Sequence, residues 1–161
     1  MQILNDFSTS VKKALEEIDP NYEKYPGLVI CGTHSPHETE SYINEIRKAR
    51  EQGVPYLGIC FGHQLAAIEN ARHVLGITDA TSEEFGIGTF VVQRRKEGLK
   101  VGLHDGESYW NNYEVKIEFE NPPHFITVQY HPEYQSSKEK PHPILLKFLE
   151  ECKKYDKSNS N

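Results

Sequence analysis

Two short runs constrain this chain more than anything else in it. Residues 27–31 (GLVIC) and 54–59 (VPYLGI) are apolar along nearly their whole length. A strand with one wet face alternates apolar and polar side chains. A continuous apolar run instead implies burial on both faces, as in a parallel sheet covered by helices. Between the two runs, Tyr42, Ile43, Ile46 and Ala49 recur at helical spacing, and Gly53 ends the pattern. Strand, helix and strand in this order form a βαβ unit with a parallel pair of strands.

The flanks extend the same pattern. Residues 1–4 make a short apolar start. Val11, Ala14, Leu15 and Ile18 then predict a helix, with Ser8, Thr9 and Ser10 available as caps and Pro20 as its stop. Leu65, Ile68, Ala71 and Leu75 predict another. The second half changes character. Residues 88–93, 99–103, 113–119 and 124–130 read as strands, several with the alternation of half-exposed antiparallel strands. Ile144, Leu145, Phe148, Leu149 and Cys152 mark a last amphipathic helix. Residues 1–154 are thus expected to form one α/β domain, with a mostly parallel central sheet first and extra antiparallel strands later. Residues 155–161 are expected to be a disordered polar tail.

Bulk properties narrow the function. The chain has 161 residues, 37% hydrophobic and 26% charged, which suits one globular domain. A formal net charge of -6 argues against a nucleic-acid partner, since no basic face dominates. No apolar run is long enough for a membrane span, and residues 1–10 lack the pattern of a signal peptide. Three cysteines, Cys31, Cys60 and Cys152, are an odd and widely spaced set. They fit free thiols in a cytoplasmic location better than a disulfide framework.

Cys60 carries the strongest local signal. It stands where an apolar strand gives way to a helix, with Gly58 and Gly62 two residues away on either side. This is the arrangement of a nucleophile elbow, with cysteine in the place of serine. The turn is tight, so side chains at the flanking positions would strike backbone. A helix N-terminus beside a thiol favours the thiolate. The N–H of Phe61 then stands ready to donate to an oxyanion. A cysteine in such a turn can equally be a small buried hydrophobe.

Thiolate attack on an amide needs an acid to protonate the leaving nitrogen, and histidine titrates in the right range. Of eight histidines, His131 ends a strand and is followed by Pro132 and Glu133. Proline interrupts the ladder, and Glu133 is placed to turn back on the imidazole and orient it. A strand-ending turn would explain His-Pro-Glu alone about as well. Together with the elbow, in this order, it points to a Cys60, His131 and Glu133 triad.

GICFGHQ at residues 58–64, followed by VQYHPEY at 128–134, resembles the class I glutamine amidotransferases. The similarity is closest to the glutaminase domain of CTP synthase, through VPYLGICFGHQLAAIENARHV, TSEEF and VQYHPEYQSSKEKPHPILLKFLE. It covers roughly residues 27–86 and 122–151. The resemblance implies a flavodoxin-like domain that hydrolyses glutamine through a thioester, without cofactor or bound metal. Its partner would be a separate synthetase subunit that takes the ammonia; no amidoligase stretch occurs within these residues. It further implies that Cys60 attacks, His131 carries the proton and Glu133 orients it. The N–H of Phe61 and one from the Gly32-Thr33 loop would form the oxyanion hole. Gln64 and Glu84 would contact the substrate, with Tyr113 beside them.

Three features depart from the family's pattern: a loop, one residue, and the segments between the first helix and Gly27 and between Tyr113 and His131, which are shorter. The family's glycine-rich loop is here Gly32, Thr33, His34 and Ser35. Its carboxylate-gripping arginine is here Asn112, which cannot form a charged bidentate clamp. These changes leave other readings open. One is hydrolysis of a different amide, such as a γ-glutamyl compound, in a pocket altered by Trp110, Asn112, His34 and His37. Another is a catalytically silent regulatory relative. A third is zinc at Cys31, His34 and His37, which has ligand spacing but no fourth partner.

Overall fold

The computed structural model describes residues 1–159. Its centre is a four-stranded, all-parallel sheet in the order β1 (Gln2–Leu4), β2 (Leu28–Ile30), β3 (Tyr56–Ile59), and a strand from late in the chain, Phe125–Val128. Helix α1 (Ser8–Ile18) joins β1 to β2, and α2 (Thr39–Gln52) joins β2 to β3. Helix α3 (Phe61–His73) leaves β3 directly.

The apolar runs behave as their composition requires. Alternate side chains go to opposite faces of a strand. Leu28, Ile30 and Tyr56 join the core beneath α2 and α3. Val29, Cys31, Leu57 and Ile59 join the core beneath α1 and the C-terminal helix. All seven are buried, so the sheet is the middle layer of three. Helix α2 stops where Gly53 takes a positive φ of 76° and the Val54 N–H returns to the Ala49 carbonyl.

Helix α3 is buried almost all round, from Phe61 to Ala71. Its second face is covered by a small sheet of β4 (Ala80–Ser82), β5 (Thr89–Arg94) and β8 (Tyr113–Val115). Between β5 and β8 the chain makes an antiparallel hairpin, β6 (Lys100–His104) and β7 (Glu107–Asn111). The strand at Phe125–Val128 is then β9, and α4 spans Pro143–Asn159.

The α/β architecture with a parallel centre and added antiparallel strands is as read from the sequence. Two details differ. β4 and β5 pair in parallel. The segment 155–159, expected to be disordered, continues α4, where Lys154 pairs with Glu150 and Glu151 and the Asn159 amide bonds the Tyr155 carbonyl. Ser160 and Asn161, the rest of that expected tail, lie outside the described residues. Among the described residues no helix is long and apolar enough to cross a membrane.

Candidate active site

The site lies at the carboxyl ends of β3 and β9, where open parallel sheets present their crevice. Cys60 follows β3 directly and sits on a positive φ of 54° with ψ of -99°. That backbone region is costly for any residue with a Cβ, by about 1–3 kcal/mol. Its surroundings hold it there. The Cys60 N–H bonds the Val128 carbonyl at 2.8 Å, and the Tyr56 hydroxyl donates to the Gly62 carbonyl at 2.8 Å.

Both elbow glycines have a visible reason. A Cβ at Gly62 would lie 2.2 Å from the Ile30 carbonyl oxygen, and one at Gly58 would lie 2.7 Å from the Gly62 carbonyl. The obstacles are backbone atoms and cannot swing aside. Because Phe61 begins α3, its N–H has no acceptor within the helix and is free for a ligand.

His131 lies three residues past β9, and Glu133 follows in a single 3₁₀ turn, Pro132–Gln135. The His131 Nδ1 is 3.0 Å from Glu133 Oε2, and both residues are buried. Burial alone would disfavour a charged imidazole, but Cys60 and Glu133 outweigh it and raise His131 to about 10. The Tyr134 ring stacks on the imidazole at 5.2 Å. Gly32 stands close by: a Cβ there would come within 3.1 Å of His131 Cε1. The neighbouring Thr33 hydroxyl bonds the Asp6 carboxylate and accepts the Ser35 N–H, which ties this loop to the turn before α1.

The thiol opens on two cavities. One, of about 100 Å³, is lined by Thr33, His34, Phe61, Gln64, Glu84 and residues 110–113. All of the residues expected to contact substrate (His34, Gln64, Glu84, Asn112 and Tyr113) therefore meet there. Glu84 stands at its open edge, where partial desolvation pushes its carboxyl up against the opposing pull of Arg94. The other, of about 170 Å³, is lined by Phe7, Gly32, His131 and Tyr134, and shares Thr33, His34 and Trp110 with the first.

The chain as a whole is similar to known proteins. The family described as Glutamine amidotransferase class-I matches residues 5–118. The CTP synthase of Methanoculleus marisnigri is 37% identical over 185 residues, an alignment covering 83% of this chain and 35% of that enzyme. The CTP synthase of Methanoregula boonei is 32% identical, covering 86% of this chain and 36% of that enzyme.

The chain belongs to the class I glutamine amidotransferases.

It spans only about a third of the length of these curated CTP synthases. The glutaminase domain of Trypanosoma brucei CTPS, solved with bound acivicin, shares the amidotransferase fold with a TM-score of 0.72. That similarity covers 94% of this chain and 92% of the solved one, at 19% identity.

Within this amidotransferase domain several contacts around Cys60 carry no signal in the local sequence. The Gln129 amide donates to Cys60 Sγ at 3.5 Å and accepts from Gln64 at 3.5 Å. The thiol donates to the Trp110 carbonyl at 3.5 Å. Strand β7, which supplies Trp110, also accepts the His131 N–H at the Ser108 carbonyl, 2.7 Å away. Gln129 and Tyr134 lie inside the VQYHPEY motif, so their presence near the site was legible but their contacts were not. Phe7, from the far end of the chain, had no such signal.

Other candidates separate. Lys116, a conceivable substitute for the family's arginine, is 2.6 Å from Glu114 and lines neither cavity. Cys31 faces the core, His34 faces the cavities, and His37 bonds the Ser35 carbonyl. Among the described residues no group of three or more His, Cys, Asp or Glu side chains is placed to hold a metal ion.

Proposed function

We propose that this domain hydrolyses the side-chain amide of glutamine, with Cys60 as nucleophile, His131 as proton carrier and Glu133 as its orienting carboxylate. The observation that carries the reading is the buried His131–Glu133 contact at 3.0 Å beside a cysteine held on strained backbone at a helix N-terminus. Relatives that are CTP synthases support glutamine as the amide and a synthetase as the consumer of ammonia.

The chemistry follows from the residues. Deprotonated Cys60 Sγ attacks the amide carbon. The developing oxyanion accepts the Phe61 N–H and one N–H from the Gly32-Thr33 loop. His131 delivers a proton to the departing nitrogen, and ammonia leaves a γ-glutamyl thioester. Water, activated by the now neutral imidazole, cleaves the thioester to glutamate and restores the thiol. Glu133 bonds Nδ1 and so leaves Nε2 to face the reaction. Gln64 and Glu84 meet the polar end of the substrate.

The test is ammonia release from L-glutamine by the protein and by Cys60→Ser, with iodoacetamide labelling mapped by peptide. Burial pushes the Cys31 thiol well up and that of Cys152 up to about 12, so neither competes as a thiolate. Cys60 should be labelled first and Cys60→Ser should release no ammonia. Preferential labelling of Cys31 or Cys152, or turnover that survives the serine, would overturn the assignment.

A further inference from the structure

The two cavities that meet at Cys60 differ in kind. Gln64, Glu84, Asn111 and Asn112 line only the smaller one, and His131 lines only the larger. The thiol therefore divides a polar chamber from an aromatic one. The group that would protonate the leaving nitrogen stands in the aromatic chamber.

This division fixes a direction. If the polar chamber takes the glutamyl end, the amide nitrogen points toward His131 and departs into the larger cavity. Ammonia is about the size of water, which needs only ~10–15 Å³ of such space. The cavity offers about 170 Å³. Its walls are rings: Phe7 meets His34 edge-on at 4.7 Å, His34 meets Trp110 at 6.1 Å, and Tyr134 stacks on His131. Among the described residues no lysine, arginine, aspartate or glutamate lines it, and its one cationic side chain, His131, is already paired with Glu133 at 3.0 Å, so a charged substituent finds no uncommitted partner there.

From this we infer that the domain also cleaves γ-glutamyl amides whose nitrogen carries an apolar, ring-bearing substituent. The inference rests on the triad reading above and extends it from ammonia to a larger leaving group. Each step balances. Cys60 Sγ forms a bond to the γ-carbonyl carbon, the C–N bond breaks, and His131 gives its proton to the departing amine. Water then converts the thioester to glutamate and regenerates the thiol. Nothing is oxidised or reduced.

The experiment compares three substrates on the whole chain: L-glutamine, γ-L-glutamylbenzylamide and γ-L-glutamylglycine, with glutamate release as the readout. The benzyl and glycyl amides release amines of similar basicity but differ in charge and aromaticity. The benzylamide should show kcat/KM at least 10-fold above the glycine derivative, and Cys60→Ser should abolish turnover of every substrate. Phe7→Ala should lower the benzylamide-to-glutamine ratio of kcat/KM at least 5-fold. Tyr134→Ala should do the same and guards against misfolding of the first variant, because Tyr134 is 53% exposed. Glutamine turnover with no preference for the benzylamide, or a ratio that neither variant moves, overturns the proposal alone. Absence of thiol-dependent turnover on all three substrates overturns the triad reading and the proposal with it.

Discussion

Asn112→Arg is the most informative single change, because it tests what the polar chamber lacks. That chamber contains Gln64, Glu84, Asn111 and Asn112, and neither lysine nor arginine lines it. Glutamine brings an α-carboxylate, which loses water on entry and needs a cation in return. Lys116 is committed to Glu114, and Arg94 stands at the margin, 3.4 Å from the Tyr113 hydroxyl. A hydrogen bond to a charged partner is worth about 1.5–3 kcal/mol, and the exposure of Asn112 favours the lower end of that range. The arginine should therefore lower KM for glutamine by about 10- to 30-fold. Because the clamp is remote from the reacting carbonyl and binds ground and transition states alike, kcat should change little. Steady-state ammonia release over a range of glutamine concentrations measures both. A wild-type KM that the arginine leaves within threefold would refute the reasoning. A rise in KM for Arg94→Gln would then identify Arg94 as the cation already in use.

Other predictions concern the elbow, the triad and pH. Gly62→Ala places a Cβ 2.2 Å from the Ile30 carbonyl, and overpacking against backbone should cost about 3 kcal/mol or more, read as a fall in the denaturation midpoint and loss of thiol-dependent turnover. His131→Ala should reduce kcat by roughly 10²–10⁴-fold, and Glu133→Gln should reduce it by a smaller factor while keeping the fold; equal losses would refute the division of roles. Burial holds the imidazole of His63 down to about 4, so the unfolded chain binds the extra proton between pH 6.5 and 4 and stability should fall by on the order of 2–3 kcal/mol across that window. His131, raised to about 10, acts in the opposite sense: its contribution is full below pH 6.5 and disappears as pH rises through 10. Denaturation series from pH 4 to 10 should peak near 6.5, and His63→Gln should flatten the acid limb.

The central layer was legible because burial on both faces leaves a contiguous signature: residues 27–31 and 54–59 are apolar at positions facing either helix layer. The elbow was legible because steric demand writes glycine at fixed offsets, and Gly58 and Gly62 each face backbone closer than 3 Å. Strand β7 escaped because its sequence, ESYWN, packs on no core. It is held by β6 and by contacts to the turn after His131, which are distant in sequence. The same is true of Phe7 and Tyr134 as cavity walls. Helix α4 ran past its apolar stripe because backbone bonding and local ion pairs carry a helix beyond the last buried side chain, Cys152. The residues proposed to meet substrate were legible only through family resemblance; neither Gln64 nor Glu84 has a local pattern of its own.

The strained backbone at Cys60 also bears on how such a domain can change over generations. Glycine at this position would relieve most of the ~1–3 kcal/mol held in its φ of 54°, against the loss of a buried side chain and about 0.4–1 kcal/mol from a more flexible unfolded chain. What opposes that change in the folded state is the burial of the side chain beneath α1 and its hydrogen bonds with Gln129 and the Trp110 carbonyl. On the proposed triad, the strain at residue 60 is a stability cost that accompanies the placing of a nucleophile at this turn.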